Sequence, residues 1–279
     1  MVGRRRMWAR LALVTGLLLV ASACAEEPAP ERISPAGPAF STLNEGVLQV
    51  GSCLDYKPFE YIEGGDEKGF DVDLSEGIAQ ELGLEVEWVR ADFDTIFTAV
   101  AANQFDMVAA ASTITEERDE VVDFSDPYYN ARQSLAVNTE ETPDIDSTDA
   151  IGEGHVIGAQ KGTTGRDWAK ENLEPQGAQI KTFTSITDAF RDLEAGRIDG
   201  IINDEPSSQE IVKDLTGVEV VEAIDTGEHY GLAFSPENPE LRDAVNEALA
   251  AMIQDGRYAE IFGQYFPGVE VPPEFQPTA

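Results

Sequence analysis

The strongest constraint on the fold is a regular alternation of short apolar strands and amphipathic helices, which occurs twice along the chain. The first series predicts strands at 47–52, 86–89 and 107–111 and helices at 73–82 and 95–102. Gly83 ends the first helix, and Asp94 is the predicted N-cap of the second. Parallel strands need a crossover connection, which a helix supplies. The pattern therefore predicts an α/β fold with mostly parallel sheets flanked by helices.

A second α/β series follows a polar segment at 139–149. It predicts strands at 156–159, 180–183, 200–203 and 230–234 and helices at 164–172, 186–195, 206–215, 241–253 and 258–266. In such sheets, ligands bind beside the carboxyl ends of the strands. Two α/β units on one chain therefore predict two ligand-binding edges that face each other across a cleft.

Residues 1–23 have the three parts of a secretory signal peptide. Four arginines precede a short apolar run at 11–20, and small residues at 21–23 precede Cys24. This order is similar to a bacterial lipoprotein signal, in which Cys24 becomes the lipidated first residue. An ordinary signal peptide with an incidental cysteine is the alternative. We expect residues 24–44 to form a disordered tether, and the protein to be extracytoplasmic and anchored to the cell membrane by its lipid.

Charge and residue counts exclude several classes of function. The formal net charge is −34, and no cluster of lysine and arginine follows the signal peptide, which argues against nucleic-acid binding. Cys53 is the only cysteine after Cys24, so no disulfide can form within the domain. His155 and His229 are far apart in sequence and have no cysteine nearby. We therefore expect neither a metal site nor a cofactor.

The segment at 107–129, MVAAASTITEERDEVVDFSDPYY, carries the clearest binding features. Small residues end the predicted strand, so a ligand can approach the backbone closely, and Thr115 is the predicted N-cap of a short helix. Arg118 lies in the first turn, where the helix dipole disfavours a cation. A guanidinium beside the Thr113 hydroxyl and free backbone N–H groups is suited to bind a carboxylate. The alternative is that Arg118 pairs on the surface with Glu117, Glu120 or Asp123.

This segment resembles the signature of the polar amino-acid periplasmic binding proteins, the type II, family 3 solute-binding components of ABC importers. The resemblance covers about residues 45 to 267 and reappears in GFDVDLSEGIAQELG at 69–83, QKGTTG at 160–165 and IDGIINDEP at 198–206. It implies a two-lobed fold with lobe 1 at 45–132 and 229–279 and lobe 2 at 133–228. Two strands near 132–138 and 223–230 are the implied hinge. The implied function is capture of a polar amino acid by a monomeric, non-enzymatic protein that delivers it to ABC importer permease subunits.

The resemblance also assigns roles to individual residues. Arg118 and Thr164 are assigned to the ligand α-carboxylate and Asp204 to the α-ammonium group. An amino acid in a dry cleft needs both of its charges paired, because an unpaired buried ion is costly. Capping of the local helices is the alternative role for Thr164 and for Asp204. The complete set of predicted ligand-binding residues is Tyr56, Phe93, Ala110, Ala111, Thr113, Arg118, Thr164 and Asp204.

The aromatic residues and Cys53 bear on the ligand side chain. The resemblance implies that Tyr56 and Phe93 flank it, although Phe93 alternatively staples the helix start at Asp94. Family members that bind lysine, arginine or histidine commonly carry an aspartate at the position of Cys53. A neutral thiol there predicts an uncharged or acidic ligand such as glutamine, unless Asp55 or Glu60 replaces the missing acid.

An enzymatic alternative exists on the same fold. Cyclohexadienyl dehydratases share it and eliminate water and carbon dioxide from prephenate or arogenate, which requires a placed proton donor. Glu205 or Asp204 is the candidate donor. The lipid tether and the acid available for an ammonium group favour the binding protein over the enzyme.

Overall fold

The computed structural model describes residues 40–278, which contain thirteen strands and eight α-helices. The strands are β1 Val47–Ser52, β2 Asp55–Tyr56, β3 Glu60–Glu63, β4 Asp66–Lys68, β5 Glu85–Arg90, β6 Met107–Val108, β7 Asp123–Phe124, β8 Tyr129–Asn138, β9 Val156–Gln160, β10 Gln179–Phe183, β11 Gly200–Asp204, β12 Val218–Tyr230 and β13 Ala233–Phe234. The helices are α1 Phe70–Leu82, α2 Phe93–Ala101, α3 Glu116–Asp119, α4 Thr164–Asn172, α5 Ile186–Glu194, α6 Glu205–Ile211, α7 Pro239–Asp255 and α8 Arg257–Tyr265.

Two five-stranded sheets form the framework and confirm the α/β prediction. The first sheet has the order β5-β1-β6-β13-β7 and the second has the order β10-β9-β11-β8-β12. In each sheet the first three strands are mutually parallel, and the remaining two pair antiparallel with their neighbours. In the second sheet the antiparallel strands are β8 and β12, which carry the chain between the sheets in opposite directions and pair from Asn138–Val218 to Tyr129–Tyr230.

Several predicted boundaries differ from the structure. The predicted strand at 107–111 ends at Val108, because Ala111 has a positive φ of 44° and donates its N–H to the Asp71 carboxylate at 2.8 Å. Similarly, only Ala233–Phe234 remains of the strand predicted at 230–234, since Tyr230 ends β12. Helix α6 is shorter than predicted and continues as a 3₁₀ turn at 212–214. The small sheet β2-β3-β4 was not predicted.

Helix α2 starts earlier than predicted, so the proposed cap is wrong. The helix begins at Phe93, with Asp92 in the N-cap position, and Asp94 therefore lies inside the first turn. Its carboxylate instead pairs with Lys161 at 2.7 Å, which joins the first sheet's α2 to the loop after β9 of the second sheet. A carboxylate in the first turn also suits the positive end of the helix dipole.

Buried aromatic rings fix the loops that lead into the cleft. Phe59 and Phe70 are fully buried and form an aromatic cluster with Tyr129 and Phe266. The ring centroids of these four residues lie 5.0 to 6.3 Å apart. Such pairs stabilise a core beyond the area that they bury. The cluster therefore holds the β2-β3 hairpin against helix α8.

Between residues 40 and 278, every helix is too short or too polar to cross a membrane.

Candidate functional site

The predicted ligand-binding residues meet in one cavity between the two sheets. The cavity encloses about 440 Å³ of empty space, which includes the solvent at its mouth. It lies beside the carboxyl ends of β1, β6, β9 and β11, as expected for α/β sheets. All eight predicted residues line it: Tyr56, Phe93, Ala110, Ala111, Thr113, Arg118, Thr164 and Asp204. The remaining lining residues are Cys53, Asp55, Glu60, Gln133, Gln160, Thr163 and Asn203.

Arg118 lies in the cavity wall with its guanidinium held by backbone oxygens. It donates hydrogen bonds to the carbonyls of Thr113 at 2.6 Å and Gly162 at 3.0 Å. The guanidinium also lies 5.3 Å from the ring centroid of Phe93 and 4.6 Å from that of Phe97, which is cation–π distance. Burial lowers the pKa of Arg118 to about 10, so the group stays charged at neutral pH. Thr115 is the N-cap of α3, as predicted.

The surface-pairing alternative for Arg118 does not hold in the described chain. Asp123 forms an ion pair with Arg242 at 2.6 Å instead. The bonds donated by the Arg118 side chain within residues 40–278 both end on carbonyl oxygens. The charge of Arg118 is therefore available to a ligand. The staple interpretation of Phe93 is also replaced, because this residue is the first of α2 and its ring lies beneath the guanidinium.

Asp204 ends β11 and points into the cavity. Its Oδ2 accepts hydrogen bonds from the hydroxyls of Tyr56 at 2.6 Å and Tyr230 at 2.7 Å, and its Oδ1 accepts one from Nε2 of Gln133 at 2.6 Å. Burial raises the pKa of Asp204 to about 6, and the nearby Glu228 charge acts in the same direction. The side chain does not cap α6, so the capping alternative is wrong.

Thr164 is the first residue of α4, and Thr163 is the residue that caps this helix. The Thr163 hydroxyl accepts from the backbone N–H of Arg166 at 3.2 Å. The Thr164 hydroxyl instead donates to Glu228 Oε2 at 2.8 Å, and the Thr113 hydroxyl donates to the same oxygen at 2.7 Å. The simple capping role considered for Thr164 thus belongs to its neighbour.

A second group of acids lies at the Cys53 end of the cavity. Glu60 is 1% exposed, and its Oε2 has no hydrogen-bond partner among the described residues. Burial and the neighbouring carboxylates of Asp71 and Asp55 raise the pKa of Glu60 well above its usual range. Burial also raises the pKa of the Cys53 thiol and so keeps it neutral. Asp55 accepts a hydrogen bond from Ser185 at 3.2 Å, and its pKa is raised by burial.

Five polar residues at or behind the cavity wall were missed by the sequence analysis. They are Gln133, Gln160, Thr163, Asn203 and Glu228. Gln160 and Asn203 lie in quoted motifs that end strands, so their position was a usable signal. Gln133 and Glu228 lie on β8 and β12, where pairing between distant strands brings them together. Within residues 40–278, no cluster of histidine, cysteine and acidic side chains is arranged to hold a metal.

Comparison with known proteins identifies the family. The model of the bacterial extracellular solute-binding proteins, family 3, matches residues 48–268. The chain belongs to this family. Among curated family 3 relatives, the arginine-binding extracellular protein ArtP of Bacillus subtilis is 31% identical over 261 residues, covering 90% of this chain and 98% of ArtP. The histidine-binding periplasmic protein of Salmonella typhimurium is 30% identical over 242 residues, covering 84% and 92%.

Solved structures of the same kind have the same fold. An ancestral arginine-binding protein bound to arginine matches with a TM-score of 0.76 and 37% identity, covering 79% of this chain and 98% of that chain. The ancestral amino acid-binding protein AncCDT-1, a precursor of cyclohexadienyl dehydratase, matches with a TM-score of 0.73 and 37% identity, covering 79% and 95%. The two-lobed family 3 fold predicted from the sequence is thus confirmed.

Proposed function

We propose that this protein captures a free amino acid in the cavity and delivers it to the permease subunits of an ABC importer. The observation that carries the proposal is the pair of opposite charges, Arg118 and Asp204, in the wall of one cavity. A zwitterionic ligand pairs both groups, with its carboxylate on Arg118 and its ammonium on Asp204. Such pairing offsets the cost of burying the charges of ligand and protein. The amino-acid-binding relatives support the same assignment.

The ligand side chain is proposed to be cationic. Asp55 and Glu60 lie at the Cys53 end of the cavity, and one carboxylate oxygen of Glu60 has no hydrogen-bond partner within residues 40–278. A guanidinium or ammonium group placed there gives Glu60 a partner and favours its ionised form. This proposal replaces the uncharged or acidic ligand expected from Cys53 alone. Two family 3 relatives named as arginine-binding and histidine-binding are consistent with it.

The two lobes are proposed to close on the ligand about β8 and β12. Lobe 1 then comprises 45–132 and 229–279, and lobe 2 comprises 133–228. The structure has contacts between elements of the two sheets, including Lys161–Asp94 and Tyr56–Asp204. A ligand that binds Arg118 and Asp204 together favours this closed arrangement, because it contacts both sides only when the cleft is shut.

The location and the assembly are also proposals. The sequence pattern supports a signal peptide at 1–23, lipidation of Cys24 and a tether at 24–44. Except for residues 40–44, these segments lie outside the described residues. A lipid anchor keeps a capture protein at the membrane, beside the importer that receives its ligand. We propose that the protein acts there as a monomer, without a cofactor or metal.

A dehydratase activity is the weaker candidate. Prephenate has no ammonium group and so offers Asp204 no cation, and both prephenate and arogenate carry a second carboxylate that is unfavourable near Asp55 and Glu60. Incubation with prephenate or arogenate followed by chromatography tests this directly. We expect no conversion to aromatic product, and conversion at an enzymatic rate contradicts the binding-protein proposal.

A thermal-shift screen of the twenty amino acids tests the proposed function. A ligand at about 100 times its dissociation constant adds about 2.7 kcal/mol to the free energy of unfolding. We expect stabilisation by arginine, lysine or histidine. The proposal fails if none of the twenty amino acids shifts the unfolding temperature.

A further inference from the structure

Glu228 lies behind the cavity wall and organises the polar groups that face the ligand. Its Oε2 accepts hydrogen bonds from the hydroxyls of Thr113 at 2.7 Å and Thr164 at 2.8 Å. Its Oε1 accepts from the hydroxyl of Thr226 at 2.8 Å. Among the described residues, Glu228 borders a neighbouring surface depression and not the cavity itself. The carboxylate therefore acts on the wall without occupying the space of a ligand.

The contacts of Glu228 fix which way two hydroxyl protons point. A threonine hydroxyl has one proton and two acceptor lone pairs. Because Thr113 and Thr164 each donate their proton to Glu228, both hydroxyls can only accept hydrogen bonds from a group in the cavity. A ligand carboxylate only accepts hydrogen bonds, so it forms none with these two hydroxyls. A ligand ammonium group donates hydrogen bonds, so it can bind to both.

Gln133 extends the same arrangement to Asp204. Its Nε2 donates to Asp204 Oδ1 at 2.6 Å and lies 3.2 Å from Glu228 Oε1, so the amide group bridges the two carboxylates. If the side-chain amide of Gln133 were flipped, its oxygen would face the carboxylates of Asp204 and Glu228, which would repel it. Glu228 therefore also fixes the orientation of Gln133, which is 0% exposed.

We propose that Glu228 is a positioning residue that sets the hydrogen-bond polarity of the cavity. By taking the protons of the Thr113 and Thr164 hydroxyls, it makes them acceptors for the ligand α-ammonium group. The α-carboxylate is left to Arg118 and to the backbone N–H groups at the start of α4, so Thr164 contributes its N–H and not its hydroxyl to the α-carboxylate that the family resemblance assigns to it. The inference rests on the proposed function, because it concerns how an amino acid is oriented in that site.

Calorimetry with two ligands tests the proposal. L-arginine carries both α-groups, and 5-guanidinopentanoic acid is the same molecule without the ammonium group. We expect E228A to weaken L-arginine binding about tenfold or more and to leave 5-guanidinopentanoic acid nearly unchanged. E228Q keeps an acceptor oxygen and is expected to recover part of the loss. Equal weakening of both ligands, or tighter L-arginine binding, overturns the proposal.

A matched control and a double-mutant cycle exclude a general charge or folding effect. Glu219 is exposed on the same strand, so E219Q removes the same charge and is expected to bind L-arginine like the parent. In the T113V background, which lacks one of the two hydroxyls, E228A is expected to cost less than in the parent. Additive effects of E228A and T113V contradict an action of Glu228 through the hydroxyl.

A measurement without ligand separates this inference from the proposed function. Hydroxyl protons held by a carboxylate exchange slowly, so Thr113 and Thr164 are expected to give hydroxyl signals in the proton NMR spectrum of the unliganded protein. E228A is expected to abolish them. If L-arginine and the other amino acids fail to bind the parent, the proposed function fails, while these signals still decide the role of Glu228. Signals that persist in E228A overturn it.

Discussion

The hydroxyl of Tyr56 donates a 2.6 Å hydrogen bond to Asp204, across the cleft between the two sheets. Tyr56 belongs to the hairpin that follows β1, and Asp204 ends β11 of the other sheet. A bond to an ionised acceptor is roughly twice as strong as a neutral one. This contact thus links the closed arrangement of the cleft to the charge of the acid that we assign to the ligand ammonium.

Replacement of Tyr56 by phenylalanine tests that link. Y56F removes a donor that lowers the pKa of Asp204, so this pKa rises further and the closed arrangement loses a contact. We expect amino-acid affinity at pH 7.5 to fall about tenfold, since hydrogen bonds to charged groups contribute about 1.5–3 kcal/mol. Tyr61 lies in the same hairpin outside the cavity, and Y61F is the control for isothermal calorimetry. Equal binding by Y56F and Y61F contradicts the link.

The charged pair Arg118 and Asp204 predicts the largest losses of affinity. R118A or D204A leaves one ligand charge unpaired in a desolvated cleft, which costs roughly 2–5 kcal/mol, or about 30-fold to several-thousand-fold in affinity. Both variants are expected to keep their fold and to lose ligand-induced compaction in X-ray scattering. R191A, at an exposed ion pair, serves as control. If D204A binds and closes like the parent, the ammonium group is held elsewhere.

The raised pKa of Asp204 predicts opposite pH dependences for stability and for binding. The pKa rises from 3.8 in the unfolded chain to about 6 in the folded protein, so the folded state binds this proton more tightly. The stability contribution is therefore fully present below about pH 3.8 and is lost as the pH rises through about 6. Ligand affinity depends on the ionised form and falls as the pH drops below about 6.

Thermal unfolding and calorimetry between pH 8 and pH 5 check both dependences. The unliganded parent is expected to become more stable on acidification, and D204N to show a smaller increase. Asp71, whose pKa burial also raises to about 6, and Glu60 contribute in the same direction in both proteins, so the difference isolates Asp204. An identical pH profile for parent and D204N refutes the assignment.

The position of Glu60 in the cavity wall predicts a preference for a ligand with a cationic side chain. E60Q removes a buried acid that lines the cavity, so affinity for arginine is expected to fall about tenfold or more while affinity for glutamine is retained. Glu63 is exposed on the same strand, and E63Q is the matched control. Competition calorimetry measures both ligands. A parent that prefers glutamine to arginine contradicts the cationic ligand.

Cys24 predicts the location of the protein. C24S removes the thiol that the lipid would modify, so the variant is expected to leave the membrane fraction when the producing cells are fractionated. C53S, at the buried cysteine within the fold, is the control and is expected to stay with the membrane. A C24S variant that remains as firmly membrane-bound as the parent refutes the lipid anchor.

The sequence alone determined the order of the elements and most of the cavity wall. Alternating apolar periods gave β1 and α4 with their observed bounds, because side-chain burial repeats every two residues in a strand and every 3.6 in a helix. Residues at the carboxyl ends of parallel strands, such as Asp204 at the end of β11, reach the same edge of a sheet. Motifs at those positions, together with the family resemblance, therefore predicted a binding site at one cleft.

The hydrogen bonds between the site residues, and the acidity of these residues, depend on the tertiary structure. The local sequence predicts a strand at Ala111, but its backbone N–H donates to the carboxylate of Asp71, forty residues earlier, and the residue lies outside the sheet. Glu228 and Gln133 come together because β8 and β12 pair antiparallel with shifts in register, and local sequence does not encode such long-range pairing. Likewise, the acidity of Glu60 depends on burial and on neighbouring charges that only the folded chain creates.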